Sequence, residues 1–574
     1  MKLSIYKFFQ VGAMALAFMS CNDFLDQNPD ERVDIDTEEK VVQLLSTAYS
    51  NANYGYLCEM SSDNIIDNNS PHRPADPDSR VTSVYYNLAP YERMDNEVFA
   101  FEPVESSTDT DSPSMVWEGC YGAIATANHA LQAIDEIVEK NGGEMSQTLR
   151  AARAEALLIR AYHHFILVNV FCQAYKSPEL SKQDIGIPYI TTVENTVHPD
   201  YERGNVADVY SNIQADLEAG LADISDANYN MPKWHFNVNA AHAFAARFYL
   251  FTRNYDKVIE HADAVLGQGT ANLSTMLMRY DGFDGCTYSD DYANVWQSPN
   301  ANNNLMLIAT NSVMWRRFLG YRYAHNGDAI RSTYYRTGPN WRWYVIPCGY
   351  VAGMTFYAGE QDYGYVSSKI AERFEYTDVV AGIGYAHVIR REFTATELLL
   401  ERAEAKLLSQ TNQDIPGAVA DLIAFDDSRR TFSSADTQRF EANGALTPLT
   451  ESLILSYYSN MNNPNCFENW DFTQRMSPDF IVPANVVTYM NCLNDMRRFE
   501  TVFDGLRFFD LKRYGIEYSH SIGNPARVET LTWDDPRRAI EVPQEVIAAG
   551  MESSRPLAND AARQDLSSLK VKND

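Results

Sequence analysis

Hydrophobic positions recur at helical spacing along several long stretches of the chain. In 117–138, "WEGCYGAIATANHALQAIDEIV", Trp117, Tyr121, Ile124, Leu131, Ile134 and Val138 fall three, four and seven residues apart, which predicts a helix with one buried stripe. The strongest such stretch is 149–170, "LRAARAEALLIRAYHHFILVNV". Its alanines, leucines and arginines favour helix. Ala154, Leu158, Ala161, Phe165 and Val168 form an apolar stripe that Arg153 and Arg160 avoid. Arg153 and Glu155 are two apart and cannot pair side by side on a helix, so both are expected to serve other helices. His163 and His164 are adjacent there, and hydrogen bonding between helices, or exposure, is expected of them rather than metal ligation.

Helices are also predicted over 39–54, 205–221, 239–251, 254–266, 394–408 and 415–425. Ala240, Ala241, Ala243, Ala245 and Ala246 allow close approach of neighbouring backbones. Short breaks at 252–253 and 410–414 turn these helices into pairs of the tetratricopeptide kind, although the repeat consensus is poorly met. Residues 268–392 break the pattern. They are rich in Gly, Asn, Tyr and Trp, with two stretches, 303–315 and 344–357, suited to short strands and the rest expected to be long loops. Long loops on a compact scaffold usually carry function. The fold expected is therefore mostly α, a helix-pair scaffold (39–267 and 393–425) bearing a loop-rich binding region (268–392).

That region concentrates rings and guanidinium groups. Trp296, Trp315, Tyr321, Tyr323, Trp341, Trp343 and Tyr344 are interleaved with Arg316, Arg317, Arg322 and Arg342. Flat rings stack on the apolar faces of sugars while neighbouring polar groups take hydroxyls, and the same set could clasp a peptide. The candidate ligand residues are Trp296, Trp315, Tyr323, Trp341, Trp343, Tyr344, Arg316 and Arg342. The competing role for each ring is to pin a loop to a helix.

Charge narrows the partners. With 47 Lys+Arg against 77 Asp+Glu the formal net charge is −30, which disfavours nucleic acid and other polyanions. The start of the chain has its own pattern: Lys2 and Lys7, then an apolar stretch to Met19, then Cys21 followed by "NDFLDQNPDE". This is the layout of a secretory signal over 1–20, too short to span a bilayer. Acylation of Cys21 would make it a lipid anchor, with 21–38 as a polar tether. The seven later cysteines are scattered without a CxxC, so neither zinc nor a dense disulfide framework is indicated.

No HExxH, GxGxxG, GxSxG or P-loop occurs. Gly382-Ile383-Gly384 lacks the third glycine of a phosphate cradle. Asp281, Asp284, Asp290 and Asp291 could attract calcium, but Phe283, Gly285 and Tyr292 stand where an EF-hand needs oxygen ligands. No metal or cofactor is expected. Among 77 acidic residues, carboxylate pairs suited to glycoside hydrolysis arise by chance, and nothing argues for an enzyme.

Four segments carry a family resemblance. "RAEALLIRAYHHFILVNVFC" (153–172), "TELLLERAEAKL" (396–407), "RRFETVFDGLRFFDLKRYG" (497–515) and "EVPQEVI" (541–547) resemble, in order, motifs of the SusD/RagB family of outer-membrane nutrient-binding lipoproteins. Arg497 replaces the usual glutamate before Arg498, and Thr396 stands where Tyr is common. The resemblance spans nearly the whole chain, as one SusD-like domain over 39–574 with its C-terminal family segment at 497–574. It implies four tetratricopeptide-like helix pairs, a lipid-anchored protein on the cell surface, and a TonB-dependent (SusC-like) transporter to which captured oligosaccharides, or in some members peptides, are delivered. Arg153, Glu155, Arg160, Arg498, Glu500, Arg507, Asp510 and Arg513 match the motifs and are expected to be scaffold, paired in buried ion pairs rather than catalytic.

Overall fold

The computed structural model describes residues 35–70, 87–194, 201–319, 321–333, 338–340, 364–430, 447–459 and 471–555. Cys21, Trp341, Arg342, Trp343 and Tyr344 lie outside the described residues, as does the strand expected over 344–357.

Helices α1 (Glu38–Leu45), α2 (Gly55–Met60), α3 (Arg93–Phe99), α4 (Pro113–Lys140) and α5 (Gln147–Phe171) open the chain. They are followed by α6 (Val206–Asp223), α7 (Val238–Phe251) and α8 (Tyr255–Leu266). Most begin on a side-chain cap: Ser112, Ser146, Asn205 and Asn237 accept from the backbone N–H three residues on. The long helices match the hydrophobic periods closely. The first does not: the period predicts helix to Tyr54, but it stops at Leu45. Ser46 and Thr47 turn their hydroxyls back onto the Gln43 and Leu44 carbonyls. The next residues run as a connector, with the Ser50 amide bound to His163 and Ala52 bridged to Asn311.

α4 folds back on α5, α6 packs along α5, and α7 pairs with α8. A further pair, α9 (Ala395–Leu408) and α10 (Ile415–Arg429), packs its first helix on α8. Then come α11 (Val487–Thr501), against α9, and α12 (Leu506–Tyr514), against α2. Gly505, at φ +80°, lies where α12 begins beside α2; a Cβ there would sit 2.8 Å from the Gly55 Cα. Gly505→Ala is therefore expected to destabilise the protein by roughly 2 kcal/mol or more, read from a urea denaturation curve. An unchanged midpoint would mean that the two backbones can separate freely.

Residues 268–392 hold more regular structure than their composition suggests. Strands β1 (Ile66–Asp67), β2 (Asn304–Asn311), β3 (Tyr323–Ala324), β4 (Glu372–Asp378) and β5 (Ile383–Thr394) are present, and β2, β5 and β4 form an antiparallel sheet in that order. The second half of β5 is buried against the helices and leads straight into α9, so its side chains lack the alternation that marks a half-exposed strand. A last hairpin, β6 (Tyr518–Ile522) and β7 (Arg527–Leu531), follows α12. No helix among the described residues is long and apolar enough to cross a membrane.

The motif residues are tied into this scaffold by ion pairs and hydrogen bonds. Glu155 accepts from Tyr49 (2.7 Å) and His235 (2.9 Å), and Arg160 chelates Asp216 with both contacts at 2.7 Å. Arg153 reaches Asp135 of α4 at the surface. Arg507 chelates Asp63, Arg498 donates to Asn64, and Glu500 accepts from Arg429. Asp510 accepts from both Arg497 and Arg513, and Arg513 continues to Glu404. The described free cysteines Cys58, Cys120, Cys172 and Cys492 are buried, and Cys286 is half-buried.

Candidate functional site

The β4–β5 hairpin rises from the sheet with apolar side chains in solvent. Alternation on β4 puts Phe374 and Tyr376 on one face, with ring centroids 4.9 Å apart and 48% and 56% exposed. A Cβ on Gly384, opposite Tyr376, would lie 2.7 Å from the Phe374 ring and 2.0 Å from the Glu375 carbonyl oxygen, so this glycine lets the ring lie on the strand. On the other face Tyr385 donates to Glu375 at 2.9 Å, and Arg373 donates to Gln297 and Asn294. The Gly382-Ile383-Gly384 stretch is the end of this hairpin turn, with Gly382 at φ +66°.

A helical turn, Met314–Phe318, lies against β4 and carries two sequence candidates, Trp315 and Arg316. Arg316 is half exposed and chelates Glu372 through Nε (2.8 Å) and Nη2. Trp315 is half-buried and packs on the core. Beside them, Tyr91 and Tyr321 meet edge to face at 5.1 Å, Tyr321 being 39% exposed. Behind these rings Arg317 is fully enclosed. It donates to Asp95 (2.8 Å) and Glu92 (3.0 Å), and its guanidinium lies 5.2 Å from the Tyr91 ring. Arg322 similarly chelates Asp67 and donates to Asn96. The arginines thus brace the aromatic face, with carboxylates of their own.

Two sequence candidates serve packing in this structure. Trp296 is 3% exposed, within a satellite cluster with Met278, Tyr280 and Phe283, and the Arg391 guanidinium covers its ring at 4.7 Å. Tyr323 is buried in β3 and donates to Asn96 at 2.8 Å. Sequence analysis did not select Tyr91, Phe374 and Tyr376. Phe374-Glu375-Tyr376 alternates at strand period, and that was the available signal; Tyr91, distant in sequence, had none. The acidic cluster is dispersed: Asp291 accepts from the amides of Thr287 and Tyr288, and Asp281 pairs with Arg279. No group of three or more His, Cys, Asp or Glu suited to a metal occurs among the described residues.

Residues 23–250 match the SusD-like_3 family model, described as starch-binding associating with outer membrane. The chain has the fold of the SusD superfamily. Solved SusD superfamily structures share its fold, among them one from Bacteroides thetaiotaomicron VPI-5482. That structure has 16% identity and a TM-score of 0.55, with 91% of this chain and 100% of the other covered. Another, from Parabacteroides distasonis ATCC 8503, has 14% identity and a TM-score of 0.54, with 90% and 98% covered. A third, from Bacteroides vulgatus ATCC 8482 and carrying the name of a sugar binding protein, has 15% identity and a TM-score of 0.57 over 92% and 99%. A comparison with curated proteins gave no match. In this fold the helix pairs are the scaffold, and the aromatic face lies on the sheet and loops that they carry.

Proposed function

We propose that this SusD-like protein captures oligosaccharides at the cell surface without altering them and passes them to a TonB-dependent outer-membrane transporter. A lipid on Cys21 would hold it there, since more than one acyl chain suffices for stable anchoring. The observation that carries the capture role is the ring set around the Arg316–Glu372 pair, with Tyr321, Phe374 and Tyr376 exposed and Tyr91 half-buried against Tyr321. Rings offer apolar faces to sugar, and the chelated pair offers donors and acceptors without unbalanced charge. Peptide capture is less favoured, because Arg316, Arg317 and Arg322, the groups that would take peptide carboxylates, already hold carboxylates of this chain. The net charge of −30 further favours neutral glycans over acidic ones.

Titrating the chain with neutral and acidic polysaccharides and with peptides tests this. Neutral glycan binding is expected, weakened about tenfold by Tyr321→Ala or Tyr376→Ala, the equivalent of roughly 1.4 kcal/mol per ring. Binding to peptides alone, or glycan binding indifferent to both variants, would refute it. Chemical change of the glycan on incubation would instead demand a hydrolytic carboxylate pair.

A further inference from the structure

A second concavity lies on the helical scaffold, built by elements other than those of the aromatic face. Its floor is α4, where Trp117, Tyr121 and Ile124 of the buried stripe are one helical turn apart. One wall is the segment carrying Pro188, Ile190 and Val193; the other is Val546 and Met551 near the end of the described chain. The enclosed volume is about 570 Å³, the size of a small-molecule site.

The first wall is held rigidly. Tyr121 donates its hydroxyl to the Pro188 carbonyl (2.9 Å), and Asn128 donates to Ile190 (3.1 Å). Arg160 donates to Thr191 (3.2 Å), while His164 Nε2 accepts from the Ile190 amide (3.0 Å). Polar backbone is thereby tied down by the helices, and apolar side chains line the space. Such a wall needs little ordering when a ligand arrives. Across the floor the Trp117 and Tyr121 rings lie 4.9 Å apart, tilted at 57°. The Tyr121 hydroxyl is already engaged, so the ring is what this residue offers.

The charge on this concavity has one sign. Glu118 and Glu194 line it, both exposed and both without an ion-pair partner among the described residues. Among the described residues no lysine or arginine lines it, and His129 is its one other titratable side chain apart from tyrosines. Apolar walls, two ring faces and two free carboxylates together match an apolar body bearing one positive charge. The cation is attracted by the carboxylates and by the ring quadrupoles, and an anion of the same shape is repelled.

We propose that this groove binds a small organic ammonium ion with an aromatic or aliphatic body. The site is independent of the glycan face, and either can fail without the other.

The experiment is a calorimetric titration of the chain with tryptamine and, in parallel, with indole-3-propionate, its near-isosteric anion. Tryptamine is expected to bind at least tenfold more tightly than the anion, with affinity falling as salt is raised. Ala125 lines the groove from an exposed position on α4, so Ala125→Phe should fill it and abolish binding. The double variant Glu118→Gln/Glu194→Gln changes only exposed groups and should weaken tryptamine severalfold while narrowing its margin over the anion. It keeps the test decisive if Ala125→Phe fails to fold. Equal binding of amine and anion, indifference to the glutamine variant, or no amine binding would overturn the proposal.

Discussion

Arg513→Ala is expected to destabilise the protein by about 3–5 kcal/mol, whereas Arg153→Ala should cost less than about 1 kcal/mol. Both arginines belong to motifs of the same look, and both make ion pairs near 2.5 Å. Their surroundings differ. Arg513 is buried, chelates Glu404 at 2.5 and 2.7 Å, donates to Asp510 at 2.7 Å, and stacks on Tyr514 at 3.9 Å. Removing it leaves Glu404, with no exposed surface of its own, holding only the Tyr514 hydroxyl. A buried carboxylate without its cation is what makes such a deletion expensive. Arg153 and Asp135 stand in water, which replaces whatever the pair supplies. Urea denaturation of both variants decides the matter. Similar small shifts in midpoint would show that the buried network relaxes or admits water, and would remove the main physical account of why the C-terminal segment is scaffold.

His164 should make the protein acid-sensitive. Its Nδ1 donates to the Arg160 carbonyl (2.8 Å) and its Nε2 accepts from the Ile190 amide (3.0 Å), so the ring is complete only when neutral. Burial, with the nearby Arg160 charge, pushes it down to about 3; its neighbour His163, bound to Ile159 and Ser50 in the same manner, is pushed down to about 4. The unfolded ring takes its proton near pH 6.5, above the folded value. The unfolded state therefore binds more protons in between. The stabilising effect of the neutral ring is complete above about pH 6.5 and is lost as pH falls toward the folded values.

Other groups act in the opposite sense. Glu59, pushed up to about 7 by burial, contributes stability below its unfolded value and loses it as pH rises through 7. The whole-protein curve is a sum, so the clean measurement is a difference. The stability gap between the protein and His164→Gln should narrow or reverse by roughly 3 kcal/mol between pH 6.5 and pH 4. A gap constant across that range would mean that the ring protonates without losing the Ile190 bond.

Helical periodicity placed α4 to α8 and the α9–α10 pair to within about four residues at either end, because apolar positions at helical spacing specify a helix. The signal fails in the sheet. β5 carries Arg390, Arg391 and Glu392 into the interior, where Arg390 and Glu392 pair with each other and Arg391 reaches Asp504, so its charged letters read as surface while the fold uses them as core. The same limit explains Trp296 and Tyr323. An aromatic residue in a loop-rich stretch has one identity whether it faces ligand or interior, and only the neighbours that arrive from elsewhere in the chain decide.

The sequence by itself determined the helix-pair scaffold, the helix that carries the adjacent histidines, and the segments that resemble SusD-family motifs, because these rest on local propensity and on patterns within one element. The tertiary structure alone decided which rings come together, since Tyr91, Tyr321 and Phe374 come from three separate segments of the chain. It alone decided that Arg316, Arg317 and Arg322 are already matched by carboxylates of the chain, and that α4, the Pro188–Glu194 segment and Met551 enclose one acidic-rimmed groove. Burial and charge pairing are properties of assembled surfaces, and no stretch of chain short enough to show a period contains them.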